Sequence, residues 1–165
     1  WFRRVPFRSP QTLVAKQGNL SINDSTASKL SAVTGSGNVD MKNVNAPSLI
    51  ATSGYGYVAI KDCFANTIDS KSVQGAVSID TCSFDSAKAL ADRGTIQISD
   101  AIHPTFVDAH STKGELTILV PEGTYALSAR ASEQVFTASI TTDEFAQSVI
   151  KAVADDGGVK IIGQP

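Results

Sequence analysis

Apolar and polar residues alternate along this chain in short bursts, and each burst follows a glycine at a constant distance. Gly18, Gly37, Gly56, Gly75 and Gly94 are spaced by 19 residues, and Gly114 follows after 20. The second and fourth residues after each glycine are apolar: Leu20 and Ile22, Val39 and Met41, Val58 and Ile60, Val77 and Ile79, Ile96 and Ile98, Leu116 and Ile118. Successive side chains of a strand point to opposite faces, so this alternation marks a strand with one buried face. A second strand precedes each glycine. Seven residues before it stand Leu30, Leu49, Ile68, Ala87 and Val107; five before, Ala32, Ala51, Ser70, Ala89 and Ala109; three before, Thr34, Ser53, Ser72, Ala91 and Ser111. The inward residues shrink toward the glycine, as a tight bend between two strands requires, and glycine supplies unusual φ or a close backbone approach there.

One 19-residue unit cannot bury its own apolar face. Stacked units can, because each strand hydrogen-bonds to its equivalents above and below. The pattern therefore predicts an all-β, single-domain parallel β-solenoid (β-helix) of about eight coils. Residues 17–140 hold the repeats. Residues 127–140 read as a degenerate coil, with Leu127, Ala129 and Ala131 before Gln134 in the glycine place and Phe136, Ala138 and Ile140 after it. Thr141 and Glu144 then have capping-box spacing, and Phe145, Val149, Ile150 and Val153 form one apolar helical face with Gly157 as its stop. Residues 141–165 are thus expected to form a short capping helix and a final strand containing Val159 and Ile161. A cap is reasonable there, because an open solenoid end exposes unpaired backbone. Residues 1–16, with Trp1, Phe2, Val5, Phe7, Leu13 and Val14, are expected to form an N-terminal cap or an arm that docks on a partner.

Composition narrows the class. The chain is 42% hydrophobic and 18% charged, a globular mix poor in charge and rich in small residues, which suits tightly stacked strands better than a helical bundle. A net charge of −2 gives no field for nucleic acid, and the apolar runs are too short to cross a bilayer. The charge is uneven. Residues 1–50 hold six basic residues (Arg3, Arg4, Arg8, Lys16, Lys29, Lys42) against Asp24 and Asp40, a balance of +4, and the remainder carries −6. The acid-free opening Trp-Phe-Arg-Arg-Val-Pro-Phe-Arg-Ser-Pro is similar to the region around a mitochondrial presequence cleavage site.

Candidate chemistry is sparse. Cys63 and Cys82 lie seven residues after their glycines, which stacks them on neighbouring rungs within disulfide range. They are a redox pair or staple, or simply members of a small buried column that includes Val44 and Ala101. His103 and His110 fall in one coil region near Asp100 and Asp108, but no nucleophile motif accompanies them. The outward columns Asp40, Ala59, Ser78, Gln97, Thr117 and Lys42, Lys61, Asp80, Ser99, Leu119 make no carboxylate cluster, and Thr81 separates Asp62 from Asp100, so a glycosidase-like pair is unsupported. The Gly35-Ser36-Gly37-Asn38-Val39-Asp40 run is a single copy of a calcium-type pattern that needs consecutive copies. Tyr55 and Tyr57 flank Gly56 and should both point outward, as contact residues or ordinary surface tyrosines.

The segment Ser36-Gly37-Asn38-Val39-Asp40-Met41-Lys42-Asn43-Val44, with its copies Gln74-Gly75-Ala76-Val77-Ser78-Ile79 and Arg93-Gly94-Thr95-Ile96-Gln97-Ile98, resembles an adhesin-labelled β-solenoid family of unknown function. The likeness spans roughly residues 17–140. The resemblance implies the solenoid fold, carries no catalytic residues, and includes bacterial and some eukaryotic members, certain of them mitochondrial in aspect. Together these readings lead us to expect a non-enzymatic scaffold without cofactor, metal or small-molecule substrate. It would be an accessory subunit of a larger mitochondrial assembly, binding other protein subunits through its sides and termini. Trp1, Phe2, Arg3, Arg4, Tyr55 and Tyr57 are the candidate contacts. The alternative is an extracellular or cell-envelope adhesive module for carbohydrate or protein.

Overall fold

The structure is a computed structural model that describes residues 9–99, 101–102 and 104–165. Six coils follow in chain order: β1 (Gln11–Gln17) with β2 (Leu20–Thr26), β3 (Leu30–Ser36) with β4 (Val39–Asn45), and β5 (Ser48–Tyr55) with β6 (Val58–Lys61). Then come β7 (Thr67–Gln74) with β8 (Val77–Asp80), β9 (Ser86–Arg93) with β10 (Ile96–Ser99), and β11 (Phe106–Lys113) with β12 (Leu116–Pro121). The chain ends in β13 (Thr124–Ala131), β14 (Val135–Ala138), the two-residue β15 (Thr141–Thr142), β16 (Val149–Asp156) and β17 (Val159–Gln164). The strand before each glycine joins a nine-stranded parallel sheet and the strand after it an eight-stranded one. Single bridges Asn45–Phe64, Phe64–Ser83 and Ser83–Ile102 add a narrow third side. The architecture is the parallel β-solenoid that the repeat predicts.

Register is constant. Leu30 pairs with Leu49 and Leu49 with Ile68; Val39 pairs with Val58 and Val58 with Val77. All of these are buried, as are Met41, Ile60, Ile79, Ile98 and Ile118 on the facing sheet. The core is therefore a set of aliphatic columns along the rod, and a one-residue slip would expose an entire column. The glycine is required by stacking as much as by turning. Gly56 has φ +139°, and a Cβ on it would overlap the carbonyl oxygen of Gly37 on the rung before. Just inside this bend the hydroxyls of Thr34, Ser53, Ser72 and Ser111 donate to the carbonyls of Gly18, Gly37, Gly56 and Gly94 at 2.7–3.0 Å. Those buried side chains are polar because the bend leaves a carbonyl facing inward.

The second corner has its own rule. Asp24, Asn43, Asp62 and Thr81 lie six residues after their glycines and share a left-handed backbone with φ 51–52°. Asp and Asn tolerate this region best among residues with a Cβ. The strand face flips there, which turns the next residue of each coil (Val44, Cys63, Cys82) into the core.

The C-terminal region departs from expectation in three ways. First, none of the described residues is helical, and the expected capping helix is replaced by β15, a turn and β16. Asp143, not Thr141, organises that turn: its carboxylate accepts from Phe145 N at 3.0 Å and its carbonyl from Ala146 N at 3.1 Å. Phe145 is 85% exposed instead of packed on a helical face. Ile150, Ala152 and Ala154 alternate inward, so period two prevails over the 3.6-residue reading.

Second, the last coil is not the last rung. The sheet orders run β9-β11-β16-β13 and β10-β12-β17-β14, so β16 and β17 insert between coil six and the β13–β14 coil. Gly157 continues the glycine column directly on Gly114, although 43 residues separate them. Charge favours this order. In register, β16 sets Lys151 beside Asp108 and Asp156 beside Lys113, and Asp155 Oδ2 lies 2.9 Å from His110 Nε2. The link out of β12 is pinned where it skips a rung, by Tyr125 Oη donating to the Pro121 carbonyl at 2.8 Å and by Glu122 N donating to the Gln164 carbonyl at 2.8 Å.

Third, Glu133 rather than Gln134 occupies the glycine place of the outer coil, because Val135 pairs with Val159. Leu127 still pairs with Ile150, so this coil is one residue shorter at its bend. Phe136 consequently faces outward and is 46% exposed. At the other end, β1 begins at Gln11, so the described part of the segment expected to form an N-terminal cap is a solenoid strand.

Candidate functional site

Two corners of the rod carry the residues singled out from the sequence. The first is the glycine bend at Gly56. Tyr55 and Tyr57 are both exposed there, at 59% and 44%. Their backbone is held from neighbouring rungs: Gly37 N donates to the Tyr55 carbonyl at 2.7 Å, Val39 N to the Tyr57 carbonyl at 3.0 Å, and Tyr57 N to Asn38 Oδ1 at 3.0 Å. Asn19 Oδ1 accepts from Asn38 N in the same way at 2.9 Å, so two asparagines form a short ladder below the tyrosines. The result is a pair of aromatic rings standing on a backbone with little freedom. Trp1, Phe2, Arg3 and Arg4 lie outside the described residues, as does His103.

The second corner holds the cysteines. Cys63 and Cys82 are both free and both buried, and they stack on adjacent rungs between the pairs Lys61–Asp80 and Phe64–Ser83. Each thiol faces a carbonyl of its own strand, Lys61 O at 3.1 Å and Asp80 O at 3.2 Å. The two side chains are neighbours across one rung, close enough to shift each other's titration. The neighbouring Cys82 holds the Cys63 thiol below its ordinary range, despite burial, while Cys63 and burial together push the Cys82 thiol up. Val44 and Ala101 occupy the same buried column, so the site is also a packing position.

Above this corner lies a shallow depression of about 360 Å³, whose wall includes Asn43, Asp62, Cys63, Phe64, Thr81 and Ile102. Phe64 is 57% and Ile102 44% exposed. These apolar residues were not singled out from the sequence. The signal was present: Asn45, Phe64, Ser83 and Ile102 each stand eight residues after a glycine, one past an inward position.

The remaining candidates resolve into structural contacts. His110 pairs with Asp155, and the adjacent Ser111 hydroxyl points inward to the Gly94 carbonyl instead of toward that pair. Asp80 is held by Lys61 Nζ at 3.3 Å, Ser99 Oγ at 3.0 Å and Thr81 Oγ1 at 3.2 Å. Partial burial works against its ionisation, yet these hydrogen bonds outweigh it and the carboxyl titrates below its usual range. Among the described residues, no three His, Cys, Asp or Glu side chains group to hold a metal ion.

The profile of one family, Toastrack DUF4097, matches residues 11–161. The chain belongs to the Toastrack DUF4097 family. The match begins at the first residue of β1 and runs into β17, so the Toastrack unit comprises all eight strand pairs, the out-of-order coil included. No curated protein and no solved structure matches the chain.

Proposed function

We propose that this Toastrack chain is a non-enzymatic scaffold, an accessory protein subunit that docks on other proteins through its corners and ends. The observation that carries the reading is the Tyr55–Tyr57 corner. Large amphipathic side chains on a preorganised backbone lose little entropy when a partner covers them, and tyrosine is enriched at interface hot spots. A rod of eight rungs, on the order of 38 Å long at about 4.8 Å per rung, offers a rigid side for such docking. The arginine-rich opening at Arg3, Arg4 and Arg8 supports a mitochondrial location, where an accessory subunit would join a larger assembly.

Native size fractionation of the endogenous protein, with and without Tyr55→Ala and Tyr57→Ala together, tests this reading. The wild type should migrate in a complex that the double variant leaves, while the purified variant keeps its thermal transition. Migration of the wild type as a free chain would overturn it. Recovery on the outer cell surface instead of in mitochondria would favour an adhesive module.

A further inference from the structure

The cysteine corner has features that packing alone does not call for. Two thiols sit at equivalent positions of adjacent rungs, and only one of the two residues borders a surface depression. Cys63 lines the depression beside Phe64, whereas Cys82 is fully buried behind it. We propose that Cys63 and Cys82 form a reversible two-electron thiol–disulfide couple, in which Cys63 reacts with a hydroperoxide entering the depression and Cys82 resolves it.

The Cys63 sulfur attacks the terminal oxygen of ROOH, the O–O bond breaks, and ROH leaves with the Cys63 proton, so Cys63 becomes a sulfenic acid. The Cys82 sulfur then attacks the Cys63 sulfur, the S–OH bond breaks, and the hydroxide leaves as water with the Cys82 proton. Two thiols lose two electrons and the peroxide gains them. The thiol polarisation fits these roles. The neighbouring Cys82 favours the thiolate of Cys63, the residue that borders the depression, while Cys63 and burial keep Cys82 protonated until its turn.

Geometry makes the disulfide labile. Rung neighbours have Cα atoms about 4.8 Å apart, inside the range a disulfide spans. In-register side chains point in parallel, however, so their Cβ atoms stay near that spacing, wider than the ~3.8 Å a relaxed disulfide prefers. Closing the bond must draw the two rungs together at a corner where Asp62 and Thr81 already hold left-handed backbone. Strained disulfides are the more easily reduced ones, which suits a reversible couple.

The test uses reduced protein and hydrogen peroxide as the probe. Trypsin separates Cys63 and Cys82 into peptides 62–71 and 72–88, so a link between them is seen directly under non-reducing conditions. The wild type should lose two hydrogens in mass, lose both maleimide-reactive thiols, yield the linked peptide, and regain both thiols with dithiothreitol. Cys82→Ser should accumulate a dimedone-reactive sulfenic acid at Cys63, and Cys63→Ser should give neither product. If the variants fold poorly, the wild-type peptide map decides alone. Persistence of both thiols under peroxide that oxidises a free cysteine peptide, or sulfinic acid at both positions without a link, would overturn the proposal.

Discussion

The hydroxyl of Ser53 donates to the carbonyl of Gly37, 2.7 Å away on the preceding rung. This contact fixes the glycine bend from inside, and the same bond recurs at Thr34, Ser72 and Ser111. Ser53→Ala keeps the packing but removes the donor to a buried carbonyl, so it should cost about 1–3 kcal/mol in chemical denaturation. Ala15, Ala91, Ala131 and Ala154 are the places where the column lacks a hydroxyl. Ala91→Ser should raise the thermal midpoint, because it supplies Gly75 with the partner its neighbours have. A lower midpoint for Ala91→Ser would contradict the ladder.

Glycine substitutions should separate turning from stacking. Gly18 and Gly56 both have positive φ, +108° and +139°. A Cβ on Gly18 meets nothing within 4 Å, whereas one on Gly56 overlaps the Gly37 carbonyl. Gly18→Ala should therefore cost about 1–2 kcal/mol from backbone strain. Gly56→Ala should cost more than about 3 kcal/mol, since rung contact is lost as well. Equal losses in urea titrations would show that the bend alone demands glycine.

The order of the final rungs is testable by charge. Lys151 lies beside Asp108 only because β16 inserts ahead of β13. Lys151→Glu should destabilise by about 0.5–1 kcal/mol when Asp108 is present and by much less in an Asp108→Asn background, since like charges directly opposite repel. Additive effects of the two substitutions would contradict the neighbour relation.

Asp80 sets a pH dependence. Its carboxyl titrates below the ordinary 3.8 because Ser99, Lys61 and Thr81 hold the charged form, against the opposing effect of burial. The folded state thus binds fewer protons than the unfolded chain just below that value. The stabilisation is present above 3.8 and is lost as pH falls through the lower folded value. Asp80→Asn should flatten the acid limb of stability against pH while leaving the slope near neutrality unchanged. An unaltered acid limb would assign it to other carboxylates.

Much of this was legible in the residue columns, and the failures have physical causes. The glycine spacing and alternation through Gly114 placed the named inward columns of the first six coils correctly, because stacking forces constant register, but left out the column nine residues after each glycine, where Ala27, Ala46, Ala65 and Phe84 are also buried. Tyr55 and Tyr57 were placed outward and Cys63 beside Cys82 by the same rule. The helix expectation failed because Val149, Ile150 and Val153 satisfy a helical spacing by coincidence. The repeat template fits that stretch better: Ile150, Ala152, Ala154, Gly157, Val159 and Ile161 match all its columns. Gln134 was set one position off because a shortened bend leaves no trace in alternation. The inserted rung was beyond any periodic reading, since periodicity gives coil content and not stacking order. Only the charges at Asp108, Lys113, Lys151 and Asp156 encode it, and they become readable once the partners are known. Phe64 and Ile102 went unread because the chain flips face at the left-handed corner.

The scaffold reading rests on the tyrosine corner, and site-specific photocrosslinking in the native cell tests it most directly. A benzophenone amino acid placed at Tyr57 should give a discrete product heavier than the chain itself. The same group at Ser78, on the flat side of the rod, should give none. A Tyr57 probe that leaves the chain at its own mass, or that labels no more than the Ser78 probe, would contradict the account.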